Sequence, residues 1–111
     1  MDKLLTRSEE FVLLAVWRLQ GDAYSLAIQE EISRITGYEW SLGSIYTPLE
    51  RLDRKRLLTS VLGQSTPERG GRKKRLYQVT DQGRQALARV QRVENAMRAG
   101  LPSLLEAGAS S

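Results

Sequence analysis

The sequence predicts a mainly helical fold that carries one small β-hairpin and ends in a long helix. Three observations predict it. Apolar residues recur at helical spacing through the first half of the chain. The pattern then changes to short runs of β-branched and aromatic residues between positions 59 and 79. A narrow helical stripe resumes over residues 81–99.

The first helix opens at Thr6-Arg7-Ser8-Glu9, which has the form of a capping box: the Thr6 hydroxyl accepts from the backbone of Glu9, and the Glu9 carboxylate reaches back to Thr6. The run from Phe11 through Val12, Leu13, Leu14, Ala15 and Val16 to Trp17 is apolar on nearly every face, so one side is expected on the domain core and the other under a second cover. Gly21-Asp22 ends it. A second helix is predicted over residues 24–36, with Tyr24, Ile28, Ile32 and Ile35 as its buried stripe and Gly37 as its left-handed terminator. Ser41 caps a third helix with Ile45, Leu49, Leu52 and Leu57 on its buried side. Pro48 lies inside this helix and removes one backbone donor, which predicts a local bend rather than a break because the apolar spacing continues past it.

Two strands are predicted at residues 59–62 and 76–79. The segment between them is dense in Gly, Pro, Ser and Thr and reads as a long hairpin tip. Thr80 then caps the last helix, whose Leu87, Val90, Val93 and Met97 form a seam flanked by Arg84, Arg89, Arg92 and Arg98. Gly100 and Pro102 stop it, and the Gly-Ala-Ser-Ser tail is expected to be disordered.

Composition restricts the chemistry. The 111 residues suffice for one domain, which at this size buries about two thirds of the surface exposed by the unfolded chain. Histidine and cysteine are both absent. That removes the usual zinc ligands, the commonest general base and the thiol nucleophile. No pair of carboxylates stands apart from a solvated helix face, so an enzyme is not expected, and neither a metal nor a cofactor. No signal peptide or membrane-length apolar run is visible, and a cytoplasmic location is the expectation.

The net charge of +4 is localised. Residues 68–75 hold five basic side chains (Arg69, Arg72, Lys73, Lys74 and Arg75) against one acid, and the rest of the chain is balanced. A charge run is often only a solvated face. Focused on the hairpin of an otherwise neutral body, however, it is the electrostatic footprint of a polyanion binder. Three short helices followed by a basic hairpin are the parts of a winged helix-turn-helix, in which the third helix enters the major groove and the wing touches the flanking backbone.

Two stretches make the likeness more specific. Ser41-Leu42-Gly43-Ser44-Ile45-Tyr46-Thr47-Pro48-Leu49-Glu50-Arg51-Leu52 resembles the recognition helix of the PadR family, where a small-residue start precedes a tyrosine and a Leu-x-x-Leu. Thr66-Pro67-Glu68-Arg69-Gly70-Gly71-Arg72-Lys73-Lys74-Arg75-Leu76-Tyr77-Gln78-Val79-Thr80-Asp81-Gln82-Gly83 resembles its wing and the Thr-x-x-Gly opening of the following helix. The resemblance extends from Leu5 to about Ala99. It implies a bacterial, dimeric repressor whose long last helix makes the dimer contact. Two departures are visible. Family members often place the proline directly after the tyrosine, whereas Thr47 intervenes here. Some small members line an effector cavity with aromatic residues on the dimer helix, whereas residues 81–99 contain none, leaving Trp17 as the aromatic candidate.

The expected organisation is a DNA-binding domain over residues 1–80, a dimerisation helix over 81–106 and a disordered tail over 107–111. The expected function is sequence-specific binding of double-stranded DNA by a homodimer on a pseudo-palindromic operator. Base and backbone contacts are assigned to Ser41, Gly43, Ser44, Tyr46, Thr47 and Arg51, and phosphate contacts to Arg69, Gly70, Gly71, Arg72, Lys73, Lys74 and Arg75. The dimer surface is assigned to Phe11, Leu14, Trp17, Leu87, Val90, Val93 and Met97. Each also has a plainer reading: the small residues as helix-start formers, Tyr46 as an amphipathic packer, Arg51 as a partner of Glu50 or Asp53, and the seam as intramolecular core. Trp40 reads as a packer. The rival functions are a winged-helix module that binds protein instead of DNA, and an RNA binder, which the lack of clustered aromatics disfavours. A small-molecule effector is left open.

Overall fold

Local capping sets the helix boundaries in the computed structural model, which describes residues 3–65 and 73–105. Helix α1 spans Arg7–Leu19. Its capping box is closed by Glu9 N–H donating to Thr6 Oγ1 at 3.1 Å and Thr6 N–H donating to Glu9 Oε1 at 2.8 Å. Left-handed Gln20 and Gly21 end it. Helix α2 spans Ser25–Thr36 and ends at left-handed Gly37, whose N–H donates to the Ser33 carbonyl. Helix α3 spans Leu42–Arg54 behind Ser41, whose hydroxyl accepts from Ser44 N–H at 3.1 Å. Pro48 is buried inside α3, and the helix runs through it as one element.

The turn out of α3 was not legible beforehand. Leu57 N–H donates to the Leu52 carbonyl at 2.9 Å and Arg56 N–H to the Asp53 carbonyl at 3.0 Å, with Arg56 at φ 61°. This is a Schellman closure in which an arginine occupies the left-handed position usually given to glycine. It directs the chain into strand β1, Leu58–Ser65, which pairs antiparallel with β2, Lys73–Val79. Both strands are longer than the sequence suggested. Leu58 faces Val79, Ser60 faces Tyr77 and Leu62 faces Arg75, with an irregularity between Leu62 and Ser65. The open side of β2 receives one further bond, Tyr77 N–H donating to the Ala23 carbonyl at 2.8 Å. The link between α1 and α2 thereby anchors the hairpin.

Helix α4 spans Asp81–Arg98, and Thr80 caps it by accepting from Gly83 N–H at 3.0 Å. The Thr80 hydroxyl also donates to the Arg56 carbonyl at 2.8 Å, which fixes the start of α4 against the turn after α3. Gly83 makes that approach possible: a Cβ there would lie 2.0 Å from the Leu57 carbonyl oxygen.

One core collects Val12, Leu13, Ala15 and Val16 of α1, Ile28 and Ile32 of α2, Ile45, Leu49 and Leu52 of α3, Leu58 of β1 and Leu87 of α4. Two expectations are corrected. The spacing puts Ile35 on the buried stripe of α2, but it is 53% exposed and the covered part of the stripe ends at Ile32, since periodicity marks the apolar side without fixing how far neighbours cover it. Leu87 was placed on a seam facing a partner but lies in the chain's own core, since the first turns of α4 lean on it. The expected tail at 107–111 lies outside the described residues.

Candidate nucleic-acid interface

Burial of Ile45, Pro48, Leu49 and Leu52 turns the opposite face of α3 outward. That face carries Gly43, Ser44, Tyr46, Thr47, Glu50, Arg51 and Arg54, all exposed. Its first turn is small. Ser41 Oγ and Ser44 Oγ lie 2.8 Å apart, and a Cβ on Gly43 would meet nothing nearer than Ser41 Oγ at 3.8 Å. Among the described residues, no steric need therefore requires glycine at 43. Arg54 pairs with Glu50 at 2.9 Å, while Arg51 has no ion-pair partner among the described residues. The plainer reading of Arg51, a pair with Glu50 or Asp53, does not describe its position.

Tyr46 is half exposed, and its Oη lies 3.4 Å from Ser25 Oγ at the start of α2. On the hairpin, Lys74 Nζ sits 4.1 Å from the centroid of the Tyr24 ring. Adjacent residues, Tyr24 and Ser25, thus receive one side chain from α3 and one from the wing. The same point is the N-terminus of α2, where Tyr24 supplies no side-chain cap and the first turn holds no acid. Unscreened N–H groups at such an end favour an anion. Tyr24 and Ser25 were missed as site residues, because nothing in their sequence neighbourhood signals which distant side chains reach them.

The described part of the basic run, Lys73 to Arg75, does not project to one side. Lys73, Lys74 and Arg75 were expected on the hairpin tip, but they are strand residues of β2, and strand geometry alternates their directions. Lys73 and Arg75 are exposed, with Arg75 Nη1 donating to Ser60 Oγ at 3.1 Å, whereas Lys74 is half-buried against Tyr24. Arg69, Gly70, Gly71 and Arg72 lie outside the described residues. Beneath the strand, burial pushes the Tyr77 hydroxyl's pKa above its ordinary 10.0, with Arg75 opposing the shift.

The residues assigned to a dimer surface divide into two groups. Phe11 packs on the core and against Trp40, with ring centroids 6.1 Å apart, and Leu87 and Val90 are covered by their own chain. Trp40 is a packer, held by its N–H donating to Ser33 Oγ at 3.0 Å. Leu14, Trp17, Val93 and Met97 remain exposed, the last at 74%. Val90, Val93, Met97 and Leu101 line, with Leu4 and the Glu94–Arg98 ion pair, an open groove of about 400 Å³ along the outer part of α4.

Comparison with known proteins identifies the family. The model of the transcriptional regulator PadR-like family matches residues 13–89. The chain belongs to the PadR-like family of transcriptional regulators. Members of this family are regulators and not enzymes. No curated protein matched the chain. Among solved structures, a PadR family transcriptional regulator from Eggerthella lenta is 25% identical, with 86% of this chain and 80% of that one covered and a TM-score of 0.65. A putative transcriptional regulator from Thermoplasma acidophilum is 18% identical, covers 94% of each chain and has a TM-score of 0.68. RosR of H. salinarum is 22% identical over 96% of this chain and 88% of its own, with a TM-score of 0.66. The fold is therefore that of PadR-like winged-helix regulators, and it is shared by archaeal proteins as well as bacterial ones. Membership implies DNA-binding regulation of transcription. Among the described residues, no helix is long and apolar enough to cross a membrane.

Proposed function

We propose that this PadR-like protein is a repressor that binds a pseudo-palindromic operator as a homodimer. The outward face of α3 (Ser41, Gly43, Ser44, Tyr46, Thr47 and Arg51) enters the major groove, and Lys73 and Arg75 of the wing, with Arg69, Gly70, Gly71 and Arg72, contact flanking phosphates. The observation that carries this reading is the convergence of Tyr46 from α3 and Lys74 from β2 on Tyr24 and Ser25. It puts helix and wing on one side of the molecule, at an uncapped helix N-terminus. A phosphate seated there would take backbone donors of α2 together with the hydroxyls of Ser25 and Tyr46.

Selection of a preferred duplex from a random pool, followed by salt titration on that duplex and on random DNA, tests the proposal. A specific site with two related half-sites about one helical turn apart is expected. A steep fall of affinity with salt on both duplexes is expected too. A chain that enriches no duplex and binds random DNA no better at low salt than at high salt would instead be a protein-binding module.

A further inference from the structure

Charge alone groups Lys74 with Lys73 and Arg75 as a phosphate contact, but its surroundings differ from theirs. Successive residues of a strand point to opposite faces. Lys73 and Arg75 are exposed, whereas Lys74 is half-buried with its Nζ over the Tyr24 ring, 4.1 Å from the centroid. An ammonium so placed is held by the negative face of the ring.

The ring itself sits at a junction. Ala23, fully buried, accepts from Tyr77 N–H at 2.8 Å. Tyr24 receives Lys74, and Ser25 Oγ lies 3.4 Å from Tyr46 Oη. The link between α1 and α2 therefore touches β2 at two points and α3 at one. The two points on β2, Tyr77 and Lys74, are separated by about 10 Å of strand. A two-stranded hairpin is only marginally ordered by itself. One fastening leaves it free to pivot, and a second fixes its direction.

We infer that Lys74 is a positioning residue for DNA recognition: clamped on Tyr24, it sets the direction of the wing relative to α3 and does not neutralise a phosphate. In a specific complex α3 lies in the groove while Lys73 and Arg75 reach the flanking backbone, so helix and wing must meet the duplex at one mutual angle. A random complex has no such register to satisfy. Ordering the wing in advance therefore raises the ratio of specific to random affinity. This consequence rests on the DNA-binding reading; the clamp does not.

Lys74→Met keeps an unbranched apolar side chain and removes the charge. It should weaken the selected duplex about three- to thirtyfold, the range spanned by a cation on a ring, and leave random duplex within about twofold. The plot of log affinity against log salt should keep its slope, whereas a lost phosphate contact flattens it by about 0.9 on both duplexes. Lys74→Arg retains a cation for the ring and should restore the ratio of the parent. Tyr24→Leu should lower that ratio as Lys74→Met does, and the two changes together should be no worse than either alone. In the free chain, the ring current of Tyr24 should move the Lys74 ε-methylene protons upfield in carbon-edited NMR spectra. Tyr24→Leu should return them to the ordinary lysine position.

Equal weakening of both duplexes by Lys74→Met, with a flatter slope, would make Lys74 a phosphate ligand and overturn the proposal. An unchanged ratio would overturn it too, as would a Lys74→Arg chain no better than Lys74→Met, or ordinary ε-methylene shifts in the parent. If Tyr24→Leu does not fold, the two Lys74 variants and the parent spectrum decide. Upfield ε-methylene protons in a chain that retains no duplex would support the clamp and remove the DNA-binding reading instead.

Discussion

Lys55 Nζ donates to Glu9 Oε2 at 2.9 Å, joining residues 46 apart in the chain. Glu9 is 1% exposed, while the Lys55 side chain is half in solvent. The second carboxylate oxygen of Glu9 accepts from Thr6 N–H, so one buried side chain caps α1 and holds the end of α3. Burial by itself raises the pKa of Glu9, but the bonds from Lys55 and Thr6 together outweigh it and hold the carboxyl below its ordinary 4.5.

That balance sets a pH dependence. A carboxyl whose pKa is depressed on folding contributes stability above its unfolded pKa, and the contribution is lost as pH falls through the folded one. Urea unfolding at a series of pH values should therefore show stability falling as pH drops below the carboxyl's ordinary 4.5. Glu9→Gln should cost about 1–3 kcal/mol at neutral pH and flatten this acid limb. Lys55→Met should lower stability at neutral pH and flatten or invert this limb, because burial then raises the carboxyl's pKa and its protonation favours the folded chain. An acid limb identical in all three proteins would show that the pair contributes nothing.

Glycine is required at one site in α4 and not at another in α3. Gly83→Ala would force a Cβ to 2.0 Å from the Leu57 oxygen and 2.8 Å from Val79 Cγ1. It should destabilise by about 1–3 kcal/mol or more, read by denaturant midpoint. Gly43→Ala meets only ordinary contact and should stabilise the fold by up to about 1 kcal/mol. It should nonetheless weaken binding to the preferred duplex, since its methyl group faces outward. Unchanged duplex affinity would remove Gly43 from the interface.

For the wing, Lys73→Ala with Arg75→Ala should weaken specific and random duplex alike and flatten the plot of log affinity against log salt by about 1–2 units. Both side chains are exposed, so the fold should be unaffected. A slope equal to that of the parent would mean that neither residue neutralises a phosphate.

Small changes on α3 should behave differently. Ser44→Ala or Tyr46→Phe should lose about 1–3 kcal/mol on the preferred duplex if they reach base edges, with little loss on random DNA. Equal losses on the two duplexes, measured by anisotropy titration, would assign them to the backbone; for Tyr46 its proximity to Ser25 makes that the informative comparison.

Dimerisation is best tested at Val93. Val90 is 9% exposed in its own chain, so a charge there would disturb the fold as well as any partner contact. Val93→Glu alters a residue already 38% exposed and should convert a dimer at micromolar concentration into a folded monomer with weakened operator binding. Sedimentation showing a parent monomer with full operator affinity would overturn the dimer.

Sequence alone determined what depends on near neighbours. Thr6, Ser41 and Thr80 each accept from the N–H three residues on, so their caps were legible in the order of residue types. The faces that bury Ile28, Ile32, Ile45, Leu49 and Leu52 were legible in their spacing. The two family-like stretches pointed to the winged-helix fold and to α3 and the hairpin as the site. Tertiary structure decided which distant groups meet. Lys55 reaches Glu9, Lys74 lies over Tyr24, Ala23 anchors Tyr77, and Gly83 admits the Leu57 carbonyl. Periodicity shows which side of an element is apolar but not how much of it the neighbouring elements cover. That is why one seam on α4 divided between the chain's own core at Leu87 and an open face at Met97.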